Sequence, residues 1–254
     1  MTQLRTIVVT GAAKGIGRAV AEDFAADAGN RLVLLDLDLG ELQSWVADHD
    51  SKAIIETHGV DIADMAGLRA LFDDLAKRLG QVDVLVNSAG VCDENEPDDL
   101  SGWHKVISIN LSGTFYVTAL SLPLMPKQGR IINMASILGR AGKVRNTAYC
   151  ASKHGIVGMT KALAMDLAPR QITVNAILPA WVDTPMLQNE LAVQAGISGL
   201  GREQILRNAK RKLPLRRFIQ GEEVAALVRY LASAEAGGVT AQSLVIDGGV
   251  GLGM

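Results

Sequence analysis

Two cysteines in 254 residues, Cys92 and Cys150, are too few for a disulfide framework and too far apart for metal-ligand spacing. Reduced thiols in an intracellular compartment follow as the simplest expectation. The four histidines, His49, His58, His104 and His154, form no HExxH-type pair, so no metal site is expected. His154 follows Lys153 directly and so falls on another helix face. Basic excess is missing too: the formal net charge of −2 argues against a surface for nucleic-acid phosphates. No block of like charge marks an interaction arm, and no linker rich in Pro, Gly or Ser divides the chain. No uninterrupted apolar run is long enough to span a bilayer, and no charged leader precedes a long apolar stretch. A cytoplasmic protein with no membrane partner is the expectation.

What is present is a rhythm. Short apolar, β-branched runs recur at Ile7 to Thr10, Leu32 to Asp36, Ala53 to Val60, Val82 to Asn87, Arg130 to Ala135, Ile172 to Leu178 and Ser243 to Asp247. Runs without polar alternation suit strands buried on both faces, as in a parallel sheet. Helical stretches separate them, at about Ile16 to Ala28, Asp64 to Leu79, Ser101 to Leu122, Ala148 to Leu167 and Glu222 to Ala232. This pattern predicts an α/β chain: one domain over residues 1–254, a doubly wound Rossmann-type parallel sheet of about seven strands with helices on both faces. Residues Met186 to Leu215 exceed what one connection needs. With Gly196, Gly199 and Gly201 as hinges, they are expected to form a substrate lid at about 186–215.

The run Thr10-Gly11-Ala12-Ala13-Lys14-Gly15-Ile16-Gly17 joins the first strand to the first helix. Glycines permit a tight turn and close backbone approach, and a helix N-terminus favours an anion such as a pyrophosphate. The spacing is GxxxGxG rather than GxGxxG, and a merely structural glycine turn is the competing reading. Asp36 ends the second strand, where a carboxylate can accept hydrogen bonds from an adenosine ribose or simply terminate the strand. Asp38 lies beyond that strand and is read as the cap of the next helix. Asp61 is either an adenine contact or the N-cap of the segment starting near Asp64. Asn87-Ser88-Ala89-Gly90 ends the fourth strand with small residues that let a flat cofactor lie close.

Ser136 ends the fifth strand, and Tyr149 and Lys153 stand four apart in the helix that follows. Positions i and i+4 share a helix face, so an ammonium beside the phenol is expected to lower its pKa and make it a usable acid or base. In isolation such a pair is most often an ordinary surface pair. The context reverses this, because Gly11, Asp36, Asp61, Asn87, Ser136 and Pro179 all fall at carboxyl ends of strands, where open α/β sheets bind ligands. Of the tryptophans only Trp181, between Pro179 and the lid, is placed to line a substrate pocket, with ordinary packing as the alternative.

Taken together, TGAAKGIG from Thr10, NSAG from Asn87, Asn110, Ser136 and YCASK from Tyr149 resemble the short-chain dehydrogenase/reductase family, over essentially the whole chain. The resemblance implies a catalytic tetrad. Tyr149 exchanges the proton, Ser136 orients the carbonyl, Lys153 holds the nicotinamide ribose and tunes Tyr149, and Asn110 anchors a water. It implies cofactor contacts from Gly11, Lys14, Gly15, Ile16, Gly17, Asp36, Asp61, Ile62, Asn87, Ala89, Gly90, Tyr149, Lys153, Pro179, Val182 and Thr184. It further implies hydride transfer between NAD(H) and a secondary alcohol or ketone, and a homotetramer built through Ser101 to Leu122, Ala148 to Leu167 and the C-terminal strand. Two positions depart from the family pattern: Ser88 replaces an asparagine, and Ala180 replaces a glycine and would be strained if that backbone needed a positive φ. Enoyl-reducing relatives space Tyr and Lys more widely, and epimerase-like relatives carry TGxxGxxG, so neither pattern fits. A redox-sensing binding protein would not need the tetrad. Among substrates, Ala151-Ser152-Lys153-His154-Gly155 and Trp181 resemble 3-hydroxybutyrate dehydrogenases, while Cys92 and Leu138 stand where those relatives have polar residues; polyols, other hydroxy acids, cyclic alcohols and aryl ketones stay open.

Overall fold

The computed structural model describes residues 4–251. Seven parallel strands form one sheet in the order β3-β2-β1-β4-β5-β6-β7. They are β1 (Arg5–Thr10), β2 (Asn30–Asp36), β3 (Ile54–Gly59), β4 (Val84–Asn87), β5 (Arg130–Met134), β6 (Thr173–Pro179) and β7 (Ser243–Ile246). The central strands β4, β5 and β6 are buried end to end and β1 from Thr6 onward, as their apolar runs require: both faces are covered by helices. One face packs α1 (Gly15–Ala25), α2 (Leu39–Asp48) and α9 (Gly221–Ala232) around Val9, Phe24, Leu32 and Val228. The other packs α3 (Met65–Arg78), α5 (Thr114–Ser121) and α6 (Thr147–Leu167) around Val8, Phe72, Leu85 and Val174.

Strand order reverses direction between β1 and β4, and the connections leaving these two strands diverge to opposite faces. A crevice opens where they part, which is the general ligand position of such sheets. Gly11 sits at its base with φ +68°, and a Cβ there would come within 2.7 Å of Ala89 Cα. Gly17 is as constrained, for its Cβ would lie 2.1 Å from the carbonyl oxygen of Gly11. These two positions tie the start of α1 to the ends of β1 and β4, so only glycine lets helix, strand and crevice wall meet.

Three elements differ from the sequence expectation. Asp38 does cap a helix, accepting from Glu41 N–H, but α2 buries only Leu42 and Trp45, too weak a stripe to delimit from the pattern. The expected single helix at Ser101 to Leu122 is α4 (Leu100–Ile107) and α5 joined by a π turn at Ser108–Gly113. Gly113 there packs directly on Ile62. The segment at 186–215 is helical: α7 (Pro185–Ser198) and α8 (Arg202–Arg211). Gly199 (φ +68°) ends α7, and Gly201 is the N-cap of α8, so two of the three expected hinges act as helix punctuation. Leu187, Leu191, Ile205, Leu213 and Phe218 give this pair its own small core, separate from the main one.

Candidate active site

The crevice holds two adjoining clefts. One, of about 410 Å³, runs from the glycine turn past Asp36 and Asp61 to Gly90, Tyr149 and Lys153. The other, of about 360 Å³, lies beyond Tyr149 and is lined by Ser136, Leu138, Trp181, Val182 and Leu187. Tyr149 lines both, at their junction.

The first cleft is built by backbone. Thr10 Oγ1 accepts from Ser88 N–H and Ala89 N–H, each at 3.1 Å, which draws the end of β4 against the end of β1. Gly15 (φ +59°) faces Thr184. The Asp36 carboxylate is held on both oxygens, by Ala13 N–H at 2.8 Å and Asp38 N–H at 2.9 Å, and it lines the cleft. Lys14 lines it too, but its ammonium is 3.0 Å from Asp38, which raises its pKa through that hydrogen bond. Asp61 is not a helix cap: it accepts from Ala63 N–H in a local turn, while Asp64 caps α3. Close backbone approach at Gly11, an open cradle at Gly15 and a carboxylate at the far wall fit a dinucleotide: the turn for its pyrophosphate, Asp36 for a ribose.

Of the residues expected at the cofactor, Gly11, Lys14, Gly15, Ile16, Gly17, Asp36, Asp61, Ile62, Ala89, Gly90, Tyr149, Lys153 and Thr184 line this cleft. Pro179 and Val182 line the second cleft instead. The Asn87 side chain lines neither. It is buried, and its amide nitrogen donates to Thr118 Oγ1 at 3.0 Å and to Asn133 Oδ1 at 2.8 Å, which turns that nitrogen away from the cleft. Asn133 in turn donates to Thr160 Oγ1, and Thr118 to the Thr114 carbonyl. This network locks β4, β5, α5 and α6 together behind the cleft.

Tyr149 and Lys153 stand one turn apart near the start of α6, and Ser136 lines the second cleft beside the phenol and acts to lower its pKa. Ser136 Oγ also accepts from Leu138 N–H at 3.1 Å, which fixes its rotamer and leaves its own proton free to donate. Lys153 is buried and donates to the Met134 carbonyl at 2.9 Å, with its ammonium 5.5 Å from the Tyr149 ring centre. Asn110 is held in the π turn. Its Oδ1 accepts from Val91 N–H at 2.8 Å, and its Nδ2 donates to the Val91 carbonyl at 2.9 Å and Ser152 Oγ at 3.2 Å. With its side chain fully engaged and its carbonyl accepting from Thr114 Oγ1, Asn110 positions its neighbours and lines neither cleft. Gly90 completes the packing: a Cβ there would be 3.1 Å from Asn110 Oδ1 and 3.6 Å from Lys153 Nζ.

The electrostatics correct one expectation. Tyr149 is pushed above the ordinary phenol value by burial, and Cys92 and Glu190 add to this, while Ser136 opposes it. The expected lowering by Lys153 is not the controlling effect, because that ammonium is turned to Met134. Lys153 itself is pushed down to about 8 by burial. Ala180 needs no positive φ, so its methyl brings no backbone strain, and its N–H donates to the Ile246 carbonyl at 3.1 Å. Trp181 both lines the second cleft and packs on Phe218, ring centres 6.2 Å apart. Lys143 and Glu190, which no motif or spacing marks, also line that cleft.

A family model described as enoyl-(acyl carrier protein) reductase matches residues 11–251. The chain is 39% identical over 251 residues to the granaticin polyketide synthase putative ketoacyl reductase 1 of Streptomyces violaceoruber, covering 96% of this chain and 92% of that one. It is 35% identical over 253 residues to a D-beta-hydroxybutyrate dehydrogenase of Rhizobium meliloti, covering 96% and 98%. The solved structure of an actinorhodin polyketide ketoreductase variant with NADPH superposes with a TM-score of 0.88 at 34% identity, covering 98% of this chain and 97% of that one.

Burying Lys153 has a measurable consequence. Its fall from 10.5 to about 8 means that the folded state binds this proton more weakly than the unfolded state does, a penalty on the order of 3 kcal/mol at neutral pH. The penalty is full below about pH 8 and fades as pH rises toward 10.5, where the unfolded state also releases the proton. Lys153→Met removes this pH-dependent penalty together with the pH-independent bond to the Met134 carbonyl, so its stability relative to wild type is expected to be higher at pH 7 than at pH 10. Denaturant titrations of both proteins at the two pH values check this, and an equal difference at both would disprove it.

Proposed function

Because the chain belongs to the short-chain dehydrogenase/reductase family, we propose that it transfers a hydride between NAD(H) and a secondary alcohol or ketone, with Tyr149 as its acid and base. It is an oxidoreductase of that family, acting on CH–OH and keto groups. The observation that carries the proposal is the meeting of Ser136, Tyr149 and Lys153 where the dinucleotide-shaped cleft opens into a second one. A phenol and an ammonium one helical turn apart also favour carbonyl chemistry over the enoyl reduction in the family description.

When bound, the nicotinamide supplies or accepts the hydride. The chain's residues do the rest. Tyr149, with its pKa raised, holds its proton at neutral pH and donates it to the carbonyl oxygen in reduction. Ser136, its Oγ fixed by Leu138 N–H, directs its own proton to the same oxygen and stabilises developing negative charge there. Lys153 is the ammonium next in line, placed to hold a ribose hydroxyl while it donates to the Met134 carbonyl. Asn110 keeps the Val91 segment and Ser152 in place behind them. The α7–α8 pair, with its own small core, closes over the second cleft as a lid.

The choice of NAD rests on Asp36. Its fixed carboxylate has lone pairs left for ribose hydroxyls and opposes a 2′-phosphate by like charge. Lys14, the nearest basic help for a phosphate, is tied to Asp38, and Leu37 follows Asp36 where a second base would be needed. NADPH in the ketoreductase neighbour makes this a point to measure.

Assembly as a homotetramer, with no nucleic acid or membrane partner, completes the reading. Leu100–Leu124 is long and apolar enough to cross a membrane by length and composition. Its buried Asn110, Thr114 and Thr118 instead commit one side of it to this domain. The exposed Leu100, Trp103 and Phe115 suit a second copy of the chain.

Tyr149→Phe is expected to lower kcat by at least 10²–10⁴-fold with cofactor affinity retained, read by steady-state kinetics and nicotinamide fluorescence. Retention of a tenth of the wild-type rate would remove Tyr149 from the mechanism. On one ketone at one pH, kcat/KM with NADH should exceed that with NADPH by at least about one to two decades, the size of one or two charged hydrogen bonds. Equal efficiencies would mean that Asp36 does not read the ribose. Hydrogen exchange across α7 and α8 should slow when cofactor and substrate are both present, and unchanged exchange would refute the lid.

A further inference from the structure

The second cleft is mostly apolar, with Leu138, Trp181 and Leu187 in its wall, but it also contains a facing pair of opposite charges. Lys143 Nζ lies 2.5 Å from Glu190 Oε1, and the two side chains are only 34% and 27% exposed. Lys143 comes from the loop between β5 and α6, and Glu190 from α7, so the pair joins the main body to the lid helix. Gln194 donates to the same Oε1 at 3.5 Å.

We infer that Glu190 occupies Lys143 and thereby makes this cleft select uncharged ketones over ketones that carry a carboxylate. The inference rests on the carbonyl-reductase reading above. A substrate carboxylate needs a free cation, and the half-buried one here already has a carboxylate on it. To use Lys143 the substrate must displace Glu190 and leave that carboxylate with only the Gln194 amide, a second negative charge beside it, in a partly shielded place. A neutral ketone asks for neither change. The field of Glu190 also reaches the reacting end: after burial it is among the groups that raise both Cys92 and Tyr149. A further cation, Lys212 at the end of α8, lines the same cleft, but its side chain is exposed, where water screens it.

Acetoacetate and its methyl ester share one ketone and differ in charge, so their ratio of kcat/KM reads the selection. The wild type should favour the ester at least tenfold. Glu190→Gln should lower that ratio at least tenfold, mainly through a smaller KM for the acid, because Lys143 is then free. Adding Lys143→Met to it should restore the preference, and Lys212→Met alone should leave the wild-type ratio in place. Calorimetric dissociation constants for acetoacetate should follow the same order, and they test the inference without turnover. A wild type that favours the acid, a Glu190→Gln ratio within threefold of wild type, or a double variant that keeps the gain would each overturn it. Correct binding order with neither ketone reduced would uphold the charge selection and overturn the carbonyl-reductase reading.

Discussion

The site depends on one close approach. At the point where strand order reverses, Gly11 meets Ala89, with no room for a side-chain carbon, and Thr10 Oγ1 grips the two amides that begin the segment after β4. If those strand ends separated, the crevice would lose its floor. From that contact the remaining geometry follows in order. The segment after β4 continues to Gly90, which packs against Asn110 and Lys153, and to Val91, which both ends of the Asn110 amide hold. Ser152, the next partner of Asn110, donates to the Tyr149 carbonyl. A chain of backbone and amide contacts thus runs from the glycine turn to the phenol, so the two clefts are set by one rigid path rather than by separate loops.

That rigidity holds groups that burial alone would not favour. A buried ammonium and a half-buried phenol, both displaced from their ordinary pKa values by desolvation, lie on one helix face. The π turn serves the same end. A regular helix through Ser108–Gly113 would rotate Asn110 away from Val91. The polar network of Asn87, Asn133, Thr118 and Thr160 behind the cleft leaves Asn87 Oδ1 without a partner, a small cost of holding four elements in register.

Sheet, helix order and the placement of Ser136, Tyr149 and Lys153 were legible because each depends on period and local spacing. Buried parallel strands are unbroken apolar runs, and residues at their carboxyl ends share one edge by topology. What was not legible depends on direction. Nothing in the sequence says that the Asn87 side chain turns toward Thr118 or that the Lys153 ammonium turns to the Met134 carbonyl. The π turn hides inside an ordinary helical pattern, because one extra residue per turn barely disturbs the apolar periodicity of Ser101 to Leu122. Lys143 and Glu190 were invisible for another reason. They are 47 positions apart, on a loop and on α7, and only the packing of α7 against that loop brings them together.

The two ends of the crevice solve one electrostatic problem twice. Each cleft contains a lysine that would attract an anionic group, the 2′-phosphate of a cofactor at one end and a carboxylate at the other. Each lysine has an acidic neighbour in hydrogen-bond reach, Asp38 for Lys14 and Glu190 for Lys143. The pairs differ in shielding. Lys14 and Asp38 are 54% and 50% exposed, whereas Lys143 and Glu190 are 34% and 27% exposed. Water and salt weaken the first pair, so exclusion of a phosphate there must rest mainly on Asp36, which is fixed by two amides and needs no partner charge. The second pair has no such fixed carboxylate behind it and relies on its own closer, drier contact. The proposed cofactor preference is therefore a property of the rigid sheet edge. The proposed charge selection at the substrate end holds only while α7 stays against the loop that carries Lys143, which ties α7 to specificity.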